Sequence, residues 1–293
     1  LKLSEAAEQR IKRGTKSREA TTQVLRIEAS QGWGSLQLKE LWDYRDLIYF
    51  LLWREVKGRY RQMALGPLWI VLQPLVDMVI FSLIFGVVAK LPSDGLPYPL
   101  FSYSGLLPWN FFMRATSSSA NCLLSNAQLI SKVYFPRLVV PLVSVLSGLI
   151  DFGASLIILL GMMVFYGIQL TPWALTMPLF LALMAATALG VGLWSAALTV
   201  YFRDVGFMMG YLLRVWMYAT PVAYSTNVIP ERWQFLYRLN PTTGAIEGFR
   251  WALLGVGEPP RLAVLISTVF VLVLLVTGAY FFRRTERTIV DVV

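Results

Sequence analysis

The chain has 293 residues, of which 56% are hydrophobic and 15% charged, with a net charge of +9 and no histidine; its mean hydropathy is +0.59. Soluble domains carry about 25% charged residues, so the composition points to a membrane protein. With Cys122 the only cysteine, a zinc site and an internal disulfide have nothing to be built from, and the commonest general acid–base is missing.

Residues 1–35 read as a polar cytoplasmic tail. Leu1–Arg18 is charged throughout and lacks the apolar stretch of a secretory leader; Thr22–Ala29 has some strand character. Residues 1–62 hold thirteen Lys/Arg and eight Asp/Glu. Base placed this way suits anionic lipid headgroups, and no motif points to nucleic acid as a partner. Over residues 36–62 the pattern becomes helical, with Leu41, Tyr44, Leu47, Ile48, Leu51 and Leu52 recurring every three or four positions. The apolar run Leu47–Trp53 is too short to span and gives way to Arg54, Lys57, Arg59 and Arg61. That predicts an amphipathic interfacial helix on the cytoplasmic leaflet, with a helix packed in a soluble cap as the alternative. Gly66-Pro67 then turns the chain into the first span.

A span needs about 20 mostly apolar residues. Six windows qualify: Leu68–Ala89, Leu100–Leu124, Leu138–Tyr166, Trp173–Tyr201, Phe207–Tyr224 and Leu262–Phe282. The second is the weakest, since it carries Arg114 and Ser117-Ser118-Ser119, and is expected to face protein or water. An N-terminus in the cytoplasm places nineteen Lys/Arg inside against five outside, so both termini are expected to be cytoplasmic. The fold class is thus an all-α membrane protein of about six transmembrane helices. Its layout is a tail over 1–35, an interfacial helix over 36–62, the membrane domain over 63–285 and a cytoplasmic C-terminus over 286–293.

Four features could carry mechanism. Ser125–Arg137 reads as a short cytoplasmic helix capped by Ser125 or Asn126 and stopped by Pro136. It shows Ile130, Val133, Tyr134 and Phe135, and is either a docking knob or an ordinary interfacial loop. Pro230–Gly255 lies outside: Asn240-Pro241 is a helix start, Ala245, Ile246, Phe249, Ala252 and Leu253 form an apolar stripe, and Glu247 and Arg250 occupy another face. Two such short helices cannot each span, which favours a re-entrant hairpin shielded by protein over a loop lying flat on the leaflet. Asp77, Arg114, Asp151 and Arg214 fall inside spans, where each costs roughly 2.5–3.5 kcal/mol if lipid-facing. They are expected to pair, to meet a subunit interface or to line a watery path. Aromatic residues in or beside the spans, namely Trp109, Phe112, Tyr211, Trp216, Tyr218 and Tyr224, either pack or offer flat faces to sugar rings. The nucleotide-cradling G-x-x-x-x-G-K-[ST] run is missing from the sequence, so active transport needs an ion gradient or a separate ATPase.

At this point four stretches carry a resemblance: LWDYRDLIYFLLWREVKGRYRQMALGPLWIVLQPL at 41–75, PYPLFSYSGLLPWNFF at 97–112, NAQLISKVYFPRLVVPL at 126–142 and LNPTTGAIEGFRWALLG at 239–255. YFRD at 201–204 adds to them. Over residues 36–285 the chain resembles the membrane subunit of ABC-2 type polysaccharide exporters, the Wzm-like permeases for O-antigen, capsule or teichoic acid chains. The resemblance implies a coupling helix at 126–137, with Asn126, Gln128, Ile130, Ser131, Val133, Tyr134, Phe135, Pro136 and Arg137 seated in a cleft of the ATPase. It implies an outer gate at 230–255 carrying Trp233, Tyr237, Asn240, Pro241, Glu247, Phe249 and Arg250. It also implies a homodimer with two ATPase subunits in the bacterial inner membrane, the pore lying between the two copies. Six helices alone can hardly enclose a glycan-wide pore, whereas a two-fold pair can. No catalytic residue, metal or cofactor is expected in this chain, ATP and Mg being bound by the ATPase partner. The alternatives are export of a smaller amphiphile through the same fold, and an ion-coupled carrier relying on Asp77 and Asp151.

Overall fold

The computed structural model describes residues 38–60, 68–257, 259 and 261–292. The tail, its strand-like stretch 22–29 and the Gly66-Pro67 turn lie outside them. Among the described residues all regular structure is helical. Helices α1 (Leu38–Asp43) and α2 (Arg45–Tyr60) precede α3 (Leu68–Phe81), which runs on as a π-helix over Ser82–Val88. Then come α4 (Tyr98–Ser125), α5 (Ala127–Lys132), α6 (Val139–Phe165), α7 (Met177–Tyr201) and α8 (Asp204–Tyr218). Finally α9 (Glu231–Leu239) and α10 (Pro241–Leu254) lead into α11 (Arg261–Val292).

Four stretches are long and apolar enough to cross a membrane: Leu68–Val88, Val139–Phe165, Pro172–Tyr201 and Leu262–Glu286. They coincide with four of the six expected windows. The other two differ for different physical reasons. Helix α4 has 28 residues, about 42 Å at 1.5 Å per residue, and is long enough but too polar for lipid. It is the centre of the bundle, packed against α3, α6, α7, α8 and α10, so Ser102, Ser104 and Ser119 are buried in protein while Arg114, Ser117 and Ser118 line an open groove. Helix α8 has 15 residues, about 22 Å, which is short of the roughly 30 Å hydrocarbon layer. The window Phe207–Tyr224 is therefore not one helix. It ends at Tyr218, and the chain turns just before Pro221, whose missing N–H and fixed φ oppose continuation.

Two apolar clusters hold the bundle. The larger joins α4, α6, α7 and α10 through Trp109, Phe112, Phe152, Met184, Ile246 and Phe249. The smaller gathers Phe135, Val139, Leu193, Val200 and Phe282, and α2 docks on it through Leu51. Leu41, Tyr44, Leu47, Ile48 and Leu52 pack against that same cluster, as their spacing predicts. The outward face of this segment shows Trp42, Tyr49, Phe50 and Trp53, aromatic rings of the kind that settle at a membrane–water interface. Close approach needs glycine at particular points. A Cβ on Gly248 would overlap the Phe180 ring, and one on Gly86 would sit 2.7 Å from Tyr98 Cγ.

Candidate functional site

The ionisable residues converge where α2 crosses α4 and α6. Glu55 and Arg59 are one helical turn apart on α2, and Arg59 Nη2 lies 3.1 Å from Glu55 Oε1. Arg59 also reaches across to Asp151 on α6 at 2.6 Å and donates to Ser147 Oγ at 3.0 Å. Arg114 of α4 meets the same Asp151 oxygen at 3.0 Å. Ser147 donates to Glu55 at 3.0 Å. Two carboxylates and two guanidiniums are thus joined where α2, α4 and α6 meet, which answers the expected cost of burying Arg114 and Asp151. The sequence reading named Arg114 and Asp151 but missed Glu55 and Arg59 as their partners. The available signal was the i,i+4 spacing of opposite charges on α2.

Of the other two intramembrane charges, Arg214 lies apart, while Asp77 interacts with the Asn110 side chain and feels the charge of Arg114 without pairing with it. Asp77 is half-buried on α3, and Arg214 is exposed on α8. Neither makes an ion pair among the described residues. Arg214 shares one face of α8 with Phe207, Tyr211 and Tyr218, at spacings of four, three and four. The rings are 84%, 70% and 64% exposed.

Of the six aromatic residues expected along a substrate path, Trp109 and Phe112 are placed elsewhere. Both are 0% exposed, their rings 5.3 Å apart, and Phe112 is edge-on to Trp216. They are core, because α4 is central rather than pore-facing on that side. Tyr224 donates to the Tyr218 carbonyl and shares a hydroxyl contact with Tyr237. Tyr211 and Tyr218 have exposed rings.

The segment after α4 differs from expectation in three ways. Asn126 closes α4 and opens α5 but does not cap α5 with its side chain; it donates to the Cys122 carbonyl at 2.9 Å and accepts from Arg54 of α2. Phe135 is 4% exposed, in the smaller apolar cluster, whereas Tyr134 is 74% exposed and Val133 stands out beside it. Arg137 is engaged by Glu286 at the end of α11, through its backbone N–H and its side chain. The exposed side chains of this segment are Gln128, Ser131, Lys132, Val133 and Tyr134, with Ile130 and Pro136 half-buried beside them. The reason is topological: Pro136 redirects the chain so that Phe135 points into the bundle.

On the opposite side α9 is open to its surroundings, with Trp233 exposed and Tyr237 half-buried, while α10 is buried nearly all round. The expected start of α10 is present. Asn240 accepts from the Thr242 N–H at 3.2 Å, Pro241 occupies the first turn and Gly255 ends the helix at φ 69°. Asn240 does more than cap: it accepts from Trp216 Nε1 and donates to Thr220 Oγ1 and to the Ala219 carbonyl. The apolar stripe through Ile246 and Phe249 is buried as expected. Arg250 is not on a solvent face. It is 5% exposed, donates to the Pro221 carbonyl at 2.7 Å and also to Phe101, Val222 and Ser104, and lies 3.9 Å over the Phe101 ring. A Cβ on Gly105 would overlap the guanidinium and the Val222 oxygen, so that glycine makes the room. Glu247 accepts from Thr226.

Residues 46–254 match the ABC-2 type transporter family. An O-antigen export system permease protein of Myxococcus xanthus is 32% identical over 216 residues, 73% of this chain and 82% of that protein. One from Klebsiella pneumoniae is 26% identical over 261 residues, 88% of this chain and 99% of that protein. A polysialic acid transport protein of Escherichia coli is 23% identical over 247 residues, 81% and 92% of the respective chains.

Proposed function

Because the chain belongs to the ABC-2 type transporter family, we propose that it is the channel-forming permease subunit of an ATP-driven exporter of lipid-linked polysaccharide. It is a transporter membrane subunit, multi-pass in the inner membrane. The observation that carries the substrate class is similarity along most of the chain to permeases named for O-antigen and polysialic acid. ATP hydrolysis belongs to a partner subunit, both termini face the cytoplasm, and two copies of this chain enclose the pore.

The geometry supports a route for the stroke. The exposed Val133–Tyr134 edge docks on the ATPase. Its movement pulls α2 through Arg54–Asn126 and α11 through Arg137–Glu286. Helix α2 passes it to α4 and α6 through Arg59 and the shared Asp151 carboxylate. The α9–α10 hairpin re-enters from outside and closes the path, with α10 as its inner, shielded arm. An ion-coupled carrier fits less well, since Asp151 is held by two guanidiniums that do not release protons near neutrality.

The test is co-purification with an ATPase subunit, followed by ATP-dependent movement of a lipid-linked glycan in proteoliposomes. ATPase capture with transport dependent on hydrolysis is the expected result. Transport driven by an ion gradient with no ATPase present refutes it.

A further inference from the structure

Between α2, the start of α3 and the cytoplasmic half of α4 lies an open groove of about 460 Å³, within the roughly 300–1,000 Å³ range of small-molecule sites. Its wall includes Arg59, Arg114, Gln73, Ser117 and Asn121, with Trp69 at the first turn of α3. The charges on that wall are both positive. The carboxylates that orient them, Glu55 and Asp151, are not part of it, and the Asp151 side chain is only 7% exposed. The two guanidinium side chains keep 22% and 29% of their surface accessible. The remaining wall is the amide and hydroxyl groups of Gln73, Asn121 and the serines, with Trp69 and Ile70 as its apolar part, and no carboxylate lines it. Guanidinium groups pair with phosphate oxygens, and here Glu55 and Asp151 fix two of them in place, each with part of its surface left open to the groove.

The groove's position selects among anions. Trp69 is 46% exposed at its edge, and Tyr49, Phe50 and Trp53 stand on the outward face of α2. Aromatic rings at this level mark the headgroup layer, where the phosphates of membrane lipids sit. Arg54 and Lys57 of α2 add positive charge there.

We propose that this groove binds the phosphate-bearing headgroup of a membrane lipid, with Arg59 and Arg114 holding the phosphate and Gln73, Ser117 and Asn121 completing its hydrogen bonds. The inference deepens the export reading, because a lipid-linked glycan carries such a phosphate between lipid and sugar. Bulk anionic phospholipid presents the same chemistry.

The test uses the full chain in phosphatidylcholine nanodiscs, without ATPase or transport, and measures retention of labelled undecaprenyl diphosphate against undecaprenol. The diphosphate lipid is expected to be retained and the alcohol lost. Arg59→Gln and Arg114→Gln should each weaken retention at least tenfold. Ser117→Leu fills the groove without touching an ion pair and should do the same in a protein of normal stability. Displacement by phosphatidylglycerol at equal ratio identifies bulk anionic lipid as the ligand; resistance to it identifies the carrier lipid. Both uphold the site. Equal retention of alcohol and diphosphate, or full retention in Ser117→Leu, overturns it. Loss of the groove with export intact leaves the permease reading standing, and binding without export refutes only that reading.

Discussion

Replacing Arg250 with Met keeps the length of the side chain and removes its charge. In the wild type the guanidinium holds the 219–222 turn against α4 and α10 through the Pro221 and Val222 carbonyls. The Phe101 carbonyl has a second donor in Ser104, so it is not orphaned by the change. Two buried acceptors lose their donor at about 1–3 kcal/mol each. Part of that is offset, because the variant no longer desolvates a guanidinium, which costs several kcal/mol. We expect about 2–3 kcal/mol of local destabilisation to remain, and thus exchange of the turn's amides roughly 30- to 150-fold faster. Hydrogen–deuterium exchange in nanodiscs reads this directly at Ala219, Thr220 and Val222, whose N–H groups donate to the Val215, Met217 and Thr220 carbonyls. Gly105→Ala is the independent arm: its methyl displaces the same guanidinium without deleting it, and should loosen the same amides. Arg250→Lys keeps the charge without the fork and should fall between. Unchanged exchange at 219–222 in both Arg250→Met and Gly105→Ala refutes the clamp.

Three further outcomes are expected. Tyr134→Ala should leave thermal stability within about 0.5 kcal/mol, as for an exposed site, while uncoupling ATPase from export; Phe135→Ala should cost about 3–5 kcal/mol as a core truncation and lower folded yield, and equal stability of the two refutes the assignment of these neighbours. Arg214→Leu should keep or raise folded yield yet reduce export, because the exposed guanidinium sits among Phe207, Tyr211 and Tyr218 on one face; normal transport shows that it only snorkels. In a Cys122→Ser background, a cysteine at Ile246 should resist bulky impermeant thiol reagents at rest and label faster with ATP trapped, whereas one at Arg232 labels from outside throughout; matched rates at the two positions, with and without nucleotide, exclude a gating hairpin.

The sequence by itself determined whatever depends on short-range chemistry. Runs of about 20 apolar residues mark six windows, four of which are helices long and apolar enough to span; three- and four-residue spacing marks the face α2 buries, and Asn240-Pro241 with Gly255 marks both ends of α10. These features follow from the local backbone and from transfer between water and lipid, so neighbours in the chain suffice to read them. What the tertiary structure decided was where each polar group finds its partner. The sequence sets Arg250 on a face of α10 apart from the apolar stripe, but its helical neighbours say nothing of the carbonyls of a turn some thirty residues earlier. Phe135 was read as exposed because Pro136 fixes the bend but not its direction. Trp109 and Phe112 stay open between packing and a path in the sequence, because amphipathicity cannot tell a pore from the middle of a bundle. Glu55, Arg59, Arg114 and Asp151 come from three helices far apart in the sequence. In a low-dielectric bundle, pairing is what makes such charges tolerable, and only the packing of those helices shows which carboxylate answers which guanidinium.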